Sequence, residues 1–471
     1  MKNVKKLIAL AMCSTLVISS LVGCSSKTNQ TSAGNSTKED TITALLPPVS
    51  PNYQKNFSQM EADFHAKYPN LTLKIEAASW EDMTQKLDVQ VNAGTPPDIA
   101  FMGSDGISKY VQSGVLLDIS KIATSDMIND FEPGPLAYMK NGKGLYGFPA
   151  YMEIHAIGGN KQYLEAAGID WKSIQKNGWT FDQFREAIKK GVVKSGDKTS
   201  RYGFVFACSG VTAKDYLNIL VKEAGMPSPF TKDLKYAYTS KNYLQVLQGI
   251  RALIDDGSMP KELSSVTAGM RWNMFLTGQT MITGKGLAVF ENSANANNKK
   301  LDAKDASAVK NSIKVDYVVL PVPTFGNNKQ QATPAVDGYV AFRGKKAPTD
   351  EHMANIAKAA YFLASGKVAA QTNNDLFVAQ ITKSSAEAAK SMKVERSAEN
   401  AAAVDTLLKQ AVEARPDITT DLGDKNIKIE NQVIVPKLQA LLSGEITPQQ
   451  MYDAVKAAAV QAFGEDGIVK D

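Results

Sequence analysis

The stretch WEDMTQKLDVQVNAGTPPDIAF, residues 80–101, changes its periodicity halfway. Trp80, Met83, Leu87 and Val91 recur at the spacing of one helix face, and Ser79 with Asp82 has the form of a capping box. The apolar run 99–102 then reads as a strand. Upstream, residues 41–46 and 71–77 read as strands. Between them residues 53–68 place Phe57, Met60 and Phe64 on one helical face. Downstream a helix is expected near 107–112. Strand, helix, strand, helix, strand is the order of a parallel α/β sheet.

From about Gly158 the pattern becomes richer in helix. Thr180 and Gln183 cap a helix carrying Phe181, Phe184 and Ile188. Ser240 opens another, with Leu244, Leu247 and Ile254 inside and Gly257 as its stop. A weaker helix has Met270 and Met274 as its apolar stripe and ends near Gly278. Strand signals return at 280–283, 315–320 and 336–342. The helix at 349–365 has Asp350 and Glu351 in its first turn, where they favour the helix dipole. Pro436 predicts a kink or break, and Thr447-Pro448-Gln449-Gln450 a clean start for the last helix.

The N-terminus has a different character. Lys2, Lys5 and Lys6 precede the apolar-leaning run LIALAMCSTLVI, residues 7–18, which is too short for the roughly 20 apolar residues of a membrane span. This describes a secretory signal. Leu21, Val22, Gly23 and Cys24 resemble the lipobox of a bacterial lipoprotein, which implies cleavage before Cys24 and lipidation of that residue. Residues 24–39 are then a lipid-anchored linker, with little to bury and an average reach on the order of 20 Å.

The chain has 53 basic and 48 acidic residues, and three of the basic ones lie in the signal. The near balance gives no support for a nucleic-acid partner. Cys13 leaves with the signal and Cys208 has no intramolecular mate, so the exported part is held by core burial alone. The histidines, His65, His155 and His352, have no metal-ligand spacing, and no Gly-x-Ser-x-Gly elbow occurs. GQTMITGKG, residues 278–286, has the wrong glycine spacing for a phosphate loop. No cofactor and no metal are expected.

Several ordered segments resemble the extracellular solute-binding proteins that serve sugar-type ABC importers. They include FHAKYPNLTLKIE (64–76), residues 80–101 themselves, GLYGFPAYME (144–153), GWTFDQFREAIKK (178–190), FLTGQTMITGKG (275–286), VVLPVP, DGYVAF, AAYFLAS and SGEITPQQMYDAV. The resemblance implies an α/β, two-lobed periplasmic-binding-protein-like fold with multiple inter-lobe crossings. On that analogy 40–152 and 317–366 form the N-terminal lobe, and 153–316 and 367–471 the C-terminal lobe. Ligand would be captured between them without any reaction, by closure of the lobes.

Parallel strands present ligands at their carboxyl ends, and sugars ask for aromatic platforms beside planar hydrogen-bonding groups. Asp105, after the third strand, is a hydroxyl acceptor or a helix start. Trp80 is a core residue by spacing and a ligand contact by resemblance; Asp82 reads as a cap before a ligand. Tyr151, Glu153 and His155 alternate, so they share one side of an extended segment. Trp272 lies off the Met270/Met274 stripe, which suggests an exposed platform. Tyr53 follows Pro47, Pro48 and Pro51 in a loop that lines the cleft in the family. Asp337 and Tyr339 open the DGYVAF strand as site or structural residues. Relatives often have an aromatic after the TMITG-type strand, whereas Lys285 and Gly286 stand here. Lys285 therefore suggests tolerance for an anionic sugar.

The expectation is an exported, monomeric receptor, anchored by Cys24 to the outer face of the membrane of a Gram-positive type of cell. It delivers an oligosaccharide to the membrane subunits of an ABC importer. The rival readings are a surface glycan-active enzyme, a receptor for a non-sugar solute, and a receptor feeding a membrane sensor.

Overall fold

The computed structural model describes residues 39–470 apart from 51–52, 81, 211, 285–287, 345–347 and 416. Residues 39–471 form one compact unit. The signal segment, Cys24, Lys285 and Gly286 lie outside the described residues.

Two five-stranded sheets organise the unit. The first contains β1 (Asp40–Leu46), β2 (Leu71–Ala77), β3 (Ile99–Gly103), β4 (Gly147–His155) and β10 (Thr333–Ala341). Their order is β2-β1-β3-β10-β4, with β1 parallel to β2 and β3, and β10 antiparallel to β3 and β4. The second contains β5 (Ile157–Asn160), β6 (Val193–Ser195), β7 (Lys198–Val205), β8 (Thr280–Gly284) and β9 (Tyr317–Leu320), ordered β9-β5-β8-β7-β6. Each sheet has its own core. Phe64, Phe101, Phe148 and Phe342 are buried around the first, and Phe184, Phe204, Tyr216 and Tyr243 around the second.

Among the described residues the chain crosses three times between these layers. The first crossing is Ala156 alone, because β4 ends at His155 and β5 begins at Ile157. The second runs from β9 to β10, residues 321–332. The boundary expected at 317 therefore moves: the apolar run Tyr317–Leu320 pairs with β5 of the second sheet. A fully apolar run fits any buried sheet, so its composition alone does not say which one. The boundary expected after 366 moves as well. Helix Gly366–Leu376 buries Val368 and Leu376 in the first core, and Lys383 and Ser384 donate backbone N–H groups to Asp130. The third crossing comes after them, before helix Ala398–Leu408, whose Asn400 accepts from the Val319 N–H and donates to the Tyr317 carbonyl.

The capping boxes at Thr180/Gln183 and Thr447/Gln450 are both formed. At Ser79/Asp82 only half of one exists. Ser79 Oγ accepts the Asp82 N–H (3.1 Å), but the Asp82 carboxylate accepts the Ser79 hydroxyl (2.7 Å) instead of capping a helical N–H. Helix Met83–Ala93 therefore starts after Trp80, which stands outside the apolar stripe assigned to it. Pro436 has the expected effect in a specific form. A π-helical turn, Glu430–Ile434, separates helix Thr420–Ile429 from helix Val435–Ser443, upstream of the proline that lacks an N–H.

Candidate functional site

The upper edge of the first sheet, at the carboxyl ends of β1–β3, gathers most of the residues singled out above. Because β10 runs antiparallel to β3 and β4, its opening residues lie at that same edge. Asp337 pairs in register with Gly103 on one side and Tyr151 on the other, and Thr333 pairs with His155. The ladder slips between Asp337 and Gly338, a local irregularity of the kind that re-aims side chains.

The side chains make a connected set. Tyr151, 2% exposed, donates its hydroxyl to Asp337 Oδ2 at 2.6 Å. Burial, reinforced by the charges of Asp337 and Glu153, pushes the Tyr151 phenol well above its ordinary pKa, so it remains a donor. Glu153 and His155, both buried, approach at 3.2 Å between Oε1 and Nε2. Asp105 lies in the 3-10 turn Ser104–Gly106 with its carboxylate largely exposed. A Cβ on Gly103 would sit 2.6 Å from Asp105 Oδ1 and 3.2 Å from Asp337 Oδ1. The absent side chain is therefore what lets these two carboxylates converge above β3.

The aromatic groups form a second layer beside the acids. Phe101, buried on β3, meets Trp80 edge-on at 5.9 Å, Tyr339 at 5.4 Å and Tyr151 at 6.0 Å. Trp80 is 40% exposed, so it offers a ring face on a fixed base. Asp82 is exposed beside it. Tyr53, half-buried, lines a small pocket with Ser50, Asn56, Phe101 and Tyr339.

The second lobe reaches this edge through a residue that the sequence reading missed. Lys214, in the first turn of helix Thr212–Glu223, places Nζ 3.0 Å from Asp105 Oδ2 and 3.3 Å from Glu430 Oε2. The charge of Asp105, outweighing desolvation and joined by that of Glu430, raises the ammonium pKa, so Lys214 is charged. Glu430 opens the π-helical turn. One signal for Lys214 was available: a cation in a helix first turn opposes the dipole and calls for another reason to be there. Its partner Glu430 lies 216 residues away, beyond any local pattern.

Trp272 is half-buried and stacks on Phe290 (4.9 Å, 27°), so the platform expected there is covered on one face. The Met270/Met274 stripe is corrected too. Met270 is 49% exposed, and the buried face of helix Ala268–Leu276 carries Arg271, Phe275 and Leu276. Nine residues are too few turns for periodicity to choose a face. Arg271 donates to the Gly284 carbonyl at the end of β8 and lies over the Phe290 ring at 4.5 Å. Among the described residues no cluster of His, Cys, Asp or Glu could hold a metal ion.

A family model for bacterial extracellular solute-binding proteins matches residues 48–365. The chain is 24% identical over 234 residues to a binding protein of Brucella abortus, covering 49% of this chain and 55% of that one. It is 28% identical over 172 residues to a maltodextrin-binding protein of Bacillus subtilis, covering 36% and 38%. The chain spans about half the length of the first of these relatives, and less of the second. In fold it is similar to an ABC substrate-binding protein of Listeria monocytogenes solved in complex with cycloalternan. The TM-score is 0.69 at 18% identity, over 92% of this chain and 100% of that one.

Proposed function

The chain belongs to the bacterial extracellular solute-binding proteins, and from that premise we propose that it is a receptor that captures an oligosaccharide between its two lobes. It hands the sugar unchanged to the membrane subunits of an ABC importer. The lipobox around Cys24 supports export and anchoring to the outer face of the cell membrane, and a linker of about 15 residues gives the domain reach above it.

One observation carries the reading: the edge where Tyr151, Asp337 and Asp105 converge beside the exposed face of Trp80. Carboxylates accept two or more hydroxyl hydrogen bonds each, and an indole face suits the apolar side of a pyranose ring. A site built this way rejects ligands that lack the hydroxyls, because its polar groups would then be left unpaired. Tyr53, Asp82, Glu153, His155 and Tyr339 line or support the same edge. Trp272 is the aromatic contribution of the second lobe, and Lys285 remains the candidate contact for an acidic sugar.

Thermal unfolding of residues 25–471 against a panel of oligosaccharides tests the proposal. A ligand at 100 times its dissociation constant stabilises the fold by about 2.7 kcal/mol. One sugar that raises the midpoint and is recovered intact supports the receptor. Its degradation points to a glycan-active enzyme, and silence across the panel refutes the sugar assignment.

A further inference from the structure

The upper edge of the first lobe is acidic, and its counter-charge comes from the other lobe. Asp105 and Asp337 converge over Gly103, with Glu153 further along the same strand face. Lys214 supplies the ammonium, and it is held from behind. Glu430, 9% exposed, grips it from the π-helical turn, while Asp105 in front is exposed. A lysine on a flexible stem is a poor determinant when free, but a buried carboxylate at its back fixes where its charge sits.

We propose that Lys214 is a specificity-determining residue, a built-in cation occupying the place on Asp105 that an amino sugar's ammonium would take, so that the cleft prefers neutral over cationic oligosaccharides. This rests on the receptor reading above and names the substrate class more closely. Lys214 bonds Asp105 through Oδ2, and an ionised carboxylate accepts several hydrogen bonds at once. A second ammonium at the same carboxylate meets the fixed charge of Lys214, and like charges at this range discriminate strongly against the wrong ligand. Removing the lysine reverses the field: Asp105 and Glu430 then face each other across the cleft as two carboxylates.

The experiment uses isothermal titration with the chain from Ser25 onward. The probes are a neutral oligosaccharide from the panel and its analogue with one hydroxyl replaced by an amine. Wild type is expected to favour the neutral sugar. Lys214→Met is expected to shift the neutral-to-cationic affinity ratio by about tenfold or more toward the cation. Lys214→Arg restores the wild-type preference, and Asp105→Asn placed on Lys214→Met abolishes the cationic gain. In Lys214→Met added salt should weaken the cationic gain, because the attraction to the two carboxylates is screened. A merely structural lysine would lower both affinities together, and an unchanged ratio in a folded Lys214→Met or Lys214→Gln variant overturns the inference. If no neutral sugar binds wild type, the receptor reading fails first and the inference falls with it.

Discussion

The two sheets deploy their polar residues in opposite ways. In the first, polar groups sit within the strands: Tyr151, Glu153 and His155 on β4 and Asp337 on β10, fixed by the register of an antiparallel ladder. In the second, β8 and β9 are buried along their whole length, and the group that meets the first sheet's edge comes from a helix: Lys214, backed by Glu430. Strand-borne groups are rigid relative to one another. On the receptor reading proposed above, helix-borne groups arrive with their lobe, which makes the first sheet the prepared surface and the second lobe its cover.

The sharpest way to break this comparison is to disturb the prepared surface. Asp337→Ala removes the acceptor of the Tyr151 hydroxyl, leaving a buried phenol without that partner. The expected loss is about 10- to 100-fold in ligand affinity, with about 1–3 kcal/mol of stability. Titration and thermal unfolding measure the two effects. If Asp337→Ala binds like wild type, the site is not built on the strand register.

A smaller effect separates the lobes by pH. Glu223, 1% exposed at the end of helix Thr212–Glu223, holds the second crossing. Its carboxylate accepts from the Gln330 amide and from the Gln331 N–H at 3.0 Å. Burial pushes its pKa up to about 8, although those two hydrogen bonds pull the other way. The folded state therefore keeps a proton up to about pH 8 that the unfolded chain releases near 4.5. Folded chains bind more protons across that window, so stability falls as pH rises through it. Glu223→Gln removes the ionisation, and a turned Gln330 amide can offer its oxygen, which otherwise has no hydrogen-bond partner among the described residues. Denaturant titrations should find the variant close to wild type at pH 5 and about 1–2 kcal/mol more stable at pH 8. A wild-type pH slope in the variant would assign the effect elsewhere.

Much of this architecture was legible in the sequence, and the failures share a cause. Strands β1 to β3 and β8 to β10, the Thr180 and Thr447 caps and the break before Pro436 are local, so spacing and capping chemistry reported them, whereas β5 to β7 were not read from the sequence. The alternation of Tyr151, Glu153 and His155 correctly put them on one face. What connects them is not local: Tyr151 meets Asp337 across 186 residues, and Lys214 meets Asp105 across 109. The apolar run Tyr317–Leu320 announced a strand but not its sheet, and Ser79 satisfied Asp82 in a turn instead of a helix cap. Residue types told of a polar edge with aromatic company; only the topology says which cation from the other lobe meets it.

The smallest expected effect lies at the opposite end of the first sheet, away from the cleft. His352, near the start of helix Asp350–Ala364, bonds Asp40 at 2.8 Å through Nδ1 and Asp98 at 3.2 Å through Nε2. Partial burial works to lower its pKa, but hydrogen bonds to the two aspartates and their charges win, and the net shift is upward. A raised histidine contributes stability that is fully present below the unfolded pKa near 6.5 and is lost as pH rises through the folded value. Asp40 is shifted down and stays ionised throughout that window. With a quarter of the imidazole exposed, solvent screening keeps the contribution to about 0.5–1 kcal/mol. His352→Asn should therefore be less stable than wild type at pH 6 and nearly equal to it at pH 9, with ligand affinity unchanged at both. A deficit that persists undiminished at pH 9 would mean that His352 acts by packing and not by charge. A loss of affinity would mean that the base of the sheet is coupled to its prepared edge, which the separation of the two along β1 and β3 argues against.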